Sequence, residues 1–266
     1  MAGELSGKVA IVSGGSLGIG RATAELLAAQ GASVVLCGRR QAAVDDAVAA
    51  ITSAGGKAIG VAADVSKSAD AERIVRTAVE SFGAVDILVN SAGIQTYGTV
   101  VETSEELWDK VFDINVKGIY LLAHFAIPEM EERGGGAIIN VSSVQAFQSQ
   151  KQVAAYTATK GAINALTRAM ALDHAEQKIR VNTICPGSID TPMLRHSADM
   201  FRGEGESVDD VVNAWGGAHP IGRVGTGRDV AELICFLASD RATFITGGEF
   251  KVDGGLTAQI AVVLPE

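Results

Sequence analysis

Tyr156 and Lys160 stand four residues apart in VAAYTATKGAINALTRAMAL, a segment whose apolar residues recur at helical spacing. Residues at i and i+4 share a helix face, so the ammonium comes within reach of the phenol. A phenol titrates near ~10 in water and needs help to carry a proton at neutral pH. A fixed cation beside it favours phenolate, and a downward shift of ~2–3 units corresponds to roughly 3–4 kcal/mol. Such a pair can act as general acid or base on an alcohol or carbonyl oxygen. Taken alone, YxxxK also describes an ordinary surface pair.

A second stretch with chemical potential is Ser13-Gly14-Gly15-Ser16-Leu17-Gly18-Ile19-Gly20, between a β-branched run and a helical pattern. There, glycines make a tight turn, let the backbone approach a pyrophosphate, and aim the first N–H groups of a helix at negative charge. The spacing Gly14, Gly18, Gly20 departs from GxGxxG, so a turn that serves only packing fits as well. The stretch also contains G-x-S-x-G, the pattern of a hydrolase nucleophile elbow. An elbow draws part of its oxyanion hole from a loop on an earlier strand, and the residues before Ser16 are used up by the first strand. His124, His174, His196 and His219 supply no evident partner for Ser16 and no metal-ligand spacing; no metal site is expected.

These residues need a scaffold. Residues 8–13, 33–37, 57–62, 86–90, 136–141, 180–184 and 249–252 read as strands. Helical stretches fall at 18–30, 41–53, 68–82, 104–133, 153–176 and 228–239, with Ser68 as a cap. The early strands are nearly continuous apolar runs, as in a parallel sheet covered on both faces. Alternation throughout, without a Pro/Gly/Ser linker, predicts one doubly wound α/β domain over 1–266 with about seven parallel strands. Residues 188–220 fit least well and read as a long loop, a lid insertion at about 190–220 or a disordered segment.

Lys and Arg number 22 against 31 Asp and Glu, a net charge of −9 that argues against nucleic acid and anionic membranes as partners. Cys37, Cys185 and Cys235 are scattered and form no CxxC pair, which fits reduced, packed thiols. With no signal-like N-terminus and no run near the ~18 apolar residues of a membrane span, a cytoplasmic protein is expected.

Gly14-x3-Gly18-Ile19-Gly20, Asp64-Val65, Asn90-Ser91-Ala92-Gly93, Asn115, Ser143, Tyr156-x3-Lys160 and Pro186-Gly187 occur in this order along one α/β chain. Over essentially residues 5–258 the chain resembles the short-chain dehydrogenase/reductase family. It departs from the family pattern at Ser13, where Thr is usual, and at Ser91, where many members have Asn. The resemblance implies a Rossmann-type fold, a nicotinamide cofactor, a small-molecule alcohol or ketone substrate, and a homotetramer with the 104–133 and 153–176 helices at one interface. It maps a catalytic tetrad onto Asn115, Ser143, Tyr156 and Lys160. Ser143 would hold the substrate oxygen, although Ser142 is adjacent and only the separation from Tyr156 chooses between them. Tyr156 would carry the proton. Lys160 would lower the phenol pKa and bind the nicotinamide ribose. Asn115 would hold a water in the relay, a satisfied core amide being the other reading.

Cofactor contacts are expected from Gly14, Ser16, Leu17, Gly18, Ile19 and Gly20 in the turn, with Asp64 and Val65 at the adenine. By the same resemblance Asn90, Ala92, Ile189 and Thr191 line the ribose and nicotinamide, and Pro186-Gly187 turns beneath the ring. An acidic residue at the end of the second strand favours NAD, and arginine accommodates the 2′-phosphate of NADP. Here Gly38 is followed by Arg39 and Arg40, which favours NADP(H) over NAD(H), although Leu17 stands where many NADP-preferring relatives have a second basic residue.

Gln145, Gln148, Gln150 and Gln152 cluster between the serine and the tyrosine and would suit a hydroxylated substrate such as a sugar or polyol. A compact cyclic or aliphatic ketone is the rival. Met193, Leu194, Phe201 and Trp215 are candidates for an apolar wall. The apolar tail after Gly255 (LTAQIAVVLPE) is expected to pack on a neighbouring subunit. A non-catalytic dinucleotide-binding sensor or scaffold of the same fold is the alternative from another class.

Overall fold

Strand β1 (Val9–Ser13) is buried along its whole length, and its side chains alternate between two cores. Ala10 and Val12 join one with Leu26, Leu27, Val44 and Ile234; Val9 and Ile11 join the other with Ile74, Leu122 and Ile163. That alternation follows from the period of two along a strand, and it requires helices on both faces of the sheet. The computed structural model describes residues 3–259.

After β1 come α1 (Gly18–Ala29), β2 (Ser33–Gly38), α2 (Gln41–Ser53), β3 (Lys57–Ala62), α3 (Ser68–Phe82) and β4 (Ile87–Asn90). Then follow α4 (Glu105–Phe112), a π turn (Asp113–Lys117), α5 (Gly118–Arg133), β5 (Gly136–Val141), α6 (Ala154–Asp173) and β6 (Ile179–Pro186). β7 (Ile189–Asp190), α7 (Pro192–Phe201), α8 (Val208–Gly216), β8 (Gly225–Thr226), α9 (Gly227–Ala238) and β9 (Glu249–Val252) complete the described chain.

Seven strands pair in parallel in the order β3-β2-β1-β4-β5-β6-β9. The chain builds outward from β1 in one direction, then reverses at β4. A crevice opens at such a reversal, outside the carboxyl ends of the two strands. The glycine turn follows β1 and the Ser91-Ala92-Gly93 stretch follows β4, so both motifs meet there.

Three expectations need correction. Ser68 does not cap α3: the cap position is Lys67, without a side-chain bond, because Ser68 is already in the helix. Residues 188–220 are not one long loop. They form α7 and α8, packed together around Ala198, Val211 and Val212, and β7 pairs with β8 to close the insertion at its base. The expected 104–133 helix is interrupted by the π turn that carries Asn115. Among the described residues no helix is long and apolar enough to cross a membrane. The proposed tail contact falls largely on residues 260–266, outside the described residues.

Gly20 shows why the turn needs glycine at its end. A Cβ there would lie 2.3 Å from the Gly14 carbonyl oxygen, with the strand and helix pressed together. Gly20→Ala is expected to destabilise the protein by about 1–3 kcal/mol through overpacking. The denaturant midpoint measures this, and an unchanged midpoint would mean that the turn has slack.

Candidate active site

The crevice at the reversal is a cavity of about 1120 Å³. Toward the β3 edge its wall comprises Gly14, Ser16, Leu17, Gly18 and Ile19 after β1, Arg39 and Arg40 after β2, and Asp64 and Val65 after β3. Ala92, Ser143, Gln145, Gln148, Gln150, Tyr156 and Lys160 continue it beyond β4 and β5, and Pro186, Gly187, Ile189, Thr191 and Met193 follow β6. Residues far apart in sequence thus meet in one place, because parallel strands bring all their carboxyl ends to one side.

Four expected residues do not reach the wall, Gln152 of the glutamine cluster among them. Gly20 serves packing. Asn90 turns into the sheet, where its Nδ2 donates to Asn140 Oδ1 at 2.9 Å. Asn115 is 1% exposed and fully engaged, its Oδ1 accepting from Ile94 N (2.8 Å) and its Nδ2 donating to Ile94 O (2.9 Å) and Thr159 Oγ1 (3.1 Å). These bonds use both amide hydrogens and tie the π turn to the loop after β4 and to α6.

The glycine turn has the features of an anion cradle. Gly14 and Gly18 have φ of +65° and +54°, in the left-handed region, and a Cβ on Gly14 would lie 2.8 Å from Ala92 N. The N-cap of α1, Leu17, provides no side-chain acceptor, whereas Thr191, Ser207 and Thr226 cap α7, α8 and α9. The first amides of α1 thus keep their donors for a ligand. Ser16 Oγ would be 2.5 Å from a Cβ on Gly38, so the serine hydroxyl occupies the space a side chain there would need. Asp64 spends Oδ1 on the Ser66 amide (3.0 Å) and hydroxyl (2.8 Å), which leaves Oδ2 without a protein partner among the described residues.

Ser143, Tyr156 and Lys160 are each less than 10% exposed. Ser143 Oγ accepts from Gln145 N at 3.1 Å. The neighbouring Ser142 donates to the Lys160 carbonyl at 3.0 Å and so holds α6 against β5. That bond separates the two serines: Ser142 is occupied by the scaffold. Lys160 Nζ donates to Val141 O at 3.0 Å and lies 5.2 Å from the centre of the Tyr156 ring.

Burial dominates the electrostatics of this pair. It pushes the Tyr156 phenol up to about 12, with Ser143 pulling down and Tyr97 pushing up to smaller extents. It pulls the Lys160 ammonium down to about 8. The expected lowering of the phenol by Lys160 does not appear; the downward pull comes from Ser143 and is outweighed by desolvation. At neutral pH the phenol holds its proton.

The cavity wall also contains residues that motif reasoning did not single out: Tyr97, Ser197, Leu256 and Thr257. Nothing in their spacing marks them. Tyr97 could have been noted as one of only three tyrosines, just after the Asn90–Gly93 motif.

A family model described as Enoyl-(Acyl carrier protein) reductase matches residues 14–257. Dehydrogenase/reductase SDR family member 4 of Homo sapiens is 38% identical over 257 residues, which span 96% of this chain and 90% of that protein. Cyclohexanol dehydrogenase of Acinetobacter sp. (strain SE19) is 36% identical over 264 residues, 97% of this chain and 98% of the relative. The ligand-free structure of Thermoplasma acidophilum aldohexose dehydrogenase superposes with a TM-score of 0.89 at 34% identity and full coverage of both chains. With a parallel sheet and near-complete coverage by such relatives, this chain belongs to the short-chain dehydrogenase/reductase family, as an oxidoreductase acting on alcohol groups.

Proposed function

We propose that the protein transfers a hydride reversibly between NADP(H) and a secondary alcohol or its ketone, with Tyr156 as the general acid and base. The observation that carries this reading is the convergence of Ser143, Tyr156 and Lys160 with the uncapped α1 turn on one cavity. A bound nicotinamide would accept or supply the hydride. Tyr156 moves the proton at its phenol oxygen, taking it from the alcohol in oxidation and returning it to the ketone in reduction. Ser143 offers its hydroxyl to the same substrate oxygen. Lys160 places a positive charge beside the phenol and, facing the cavity, can bind a ribose hydroxyl. Asn115 positions α6 rather than touching the reacting atoms.

Arg39 and Arg40 support NADP(H). Among the described residues no carboxylate pairs with Arg39, and Ser16 adds a hydroxyl where an NAD-selective acid would otherwise project. Arg39→Ala is expected to weaken NADP(H) by about 1.5–3 kcal/mol, roughly ten- to a hundredfold, as for a hydrogen bond to a charged group. NAD(H) kinetics should not change. Equal loss with both cofactors would remove Arg39 as the phosphate reader.

Among the described wall residues the charged side chains are Arg39 and Arg40 after β2, Asp64 after β3, and Lys160 of the catalytic pair. The lid side presents amides and hydroxyls with Met193, Phe201 and Trp215, which favours an uncharged, hydroxylated substrate such as a sugar or polyol. The named aldohexose relative points the same way; the cyclohexanol relative favours a compact cyclic ketone. The deciding experiment follows the reduced-nicotinamide absorbance with NADP and NAD supplied separately, against sugars, polyols and simple secondary alcohols. Turnover with NADP on a polyol supports the full reading, and no turnover on any alcohol defeats it.

Exposed Trp108, Tyr120 and Leu172 on α4, α5 and α6 support a homotetramer built through these helices. Three free, buried cysteines accord with a reducing, cytoplasmic setting.

A further inference from the structure

We propose that Tyr97 fixes the lid helix α7 at a set distance from the catalytic helix α6 and thereby determines which alcohols the pocket holds. The consequence for alcohols rests on the oxidoreductase reading above; the mechanical role does not.

Tyr97 lies half-buried in the loop between β4 and α4. Its hydroxyl sits within a chain of hydrogen bonds whose directions are determined. Ser197 Oγ donates to Met193 O, one turn earlier in α7, at 3.1 Å. The serine proton is thereby committed, so Ser197 Oγ accepts from the Tyr97 hydroxyl at 2.7 Å. The phenol oxygen in turn accepts from Gln95 Nε2 at 3.0 Å. Ser197 is only 5% exposed, so the tyrosine is its means of satisfying a buried oxygen. The Tyr97 ring also meets Phe201 edge-on, with centroids 4.7 Å apart. Ser197 and Phe201 are four residues apart, one face of one helix. Tyr97 therefore grips α7 at two successive turns.

The other side of Tyr97 is anchored to the catalytic helix. Gly98 N donates to Gln152 O at 2.7 Å and Gly98 O accepts from Ala154 N at 3.3 Å, a short bridge two residues before Tyr156. A displacement of Tyr97 would thus be a displacement between the Tyr156 end of α6 and the Met193–Phe201 face of α7. Met193, Leu194, Ser197 and Phe201 all line the cavity, so the tyrosine sets how far that wall stands from the reacting groups.

The test uses Tyr97→Phe, which removes one oxygen and keeps the ring on Phe201, together with Ser197→Ala and the double variant. Each single variant should raise the KM for the alcohol about fivefold, the size of one neutral hydrogen bond, with the cofactor KM held. The double variant should be no worse than either single, because both remove the same bond. Amide exchange across α7, or tryptic cleavage at Arg195 and Arg202, should accelerate in both single variants. That readout needs no substrate. Faster exchange in a protein with no alcohol turnover would defeat the alcohol reading and uphold the Tyr97 anchor. Unchanged exchange and KM in Tyr97→Phe would overturn the proposal, as would effects of the two substitutions that multiply.

Discussion

Tyr156→Phe is expected to lower turnover by about 10²–10⁴-fold in both directions, the usual worth of a positioned acid or base, while cofactor binding persists. The substitution removes one oxygen from a side chain that is only 8% exposed, so the packing of α6 on β5 is retained. Comparing initial rates with cofactor affinity by fluorescence separates chemistry from binding. The pH dependence adds a sign. With burial holding the phenol up to about 12, alcohol oxidation, which needs the deprotonated oxygen, should rise with pH across the neutral range. Ketone reduction uses the protonated phenol and should not share that rise. Both behaviours should vanish in the phenylalanine variant. A variant that keeps normal turnover would transfer the proton role to another group; a wild-type protein that binds the cofactor and turns over nothing would revive the sensor reading.

Lys160→Met should abolish activity and stabilise the fold. The ammonium is 5% exposed, and burial pulls it down to about 8 from the ordinary lysine value. A depressed lysine binds its proton more readily in the unfolded chain, so its unfavourable contribution is complete below about pH 8. That contribution disappears as pH rises past the ordinary value of about 10.4. The shift corresponds to at most about 3 kcal/mol, against which the lost bond to Val141 O costs about 1 kcal/mol. A net gain of about 1–2 kcal/mol would raise Tm by roughly 2–8 °C in a chain of this size at pH 7, and less at pH 10. Turnover should fall by about two orders of magnitude or more once the charge beside the phenol is gone. This opposition between stability and activity is the pattern of a group kept for chemistry rather than for folding. A variant that is less stable at pH 7 would show that Lys160 is chiefly a structural donor.

Much of the scaffold was legible because its signals are local. The apolar runs at β1, β4 and β5 need no partner to be recognised, since burial on both faces leaves no polar alternation to interpret. The bounds of α2 and α3 follow from helical periodicity in the same way. Reading failed where a local rule met a distant partner. Ser68 has the right type for a cap, yet it is the first residue of α3 and Lys67 holds the cap position, while the Asp70 carboxylate accepts from Asp64 N in the loop after β3. The segment from 188 to 220 looked like loop because its charges and glycines mask two short amphipathic helices. Those helices are stabilised mainly by packing on each other, as short helices must be.

By itself the sequence determined the strand–helix alternation, the glycine turn between a strand and a helix, and the placement of Tyr156 and Lys160 on one helix face. Each depends on residues within a turn or two of one another. Only the tertiary structure decided that the Ser142 hydroxyl is bonded to the Lys160 carbonyl, that both amide hydrogens of Asn115 go to Ile94 and Thr159, and that the phenol is pushed up while the amine is pulled down. It also joined Tyr97 to Ser197, a hundred residues apart in the chain. Desolvation and long-range hydrogen bonds sum over elements that the chain order separates, so no window of sequence contains them.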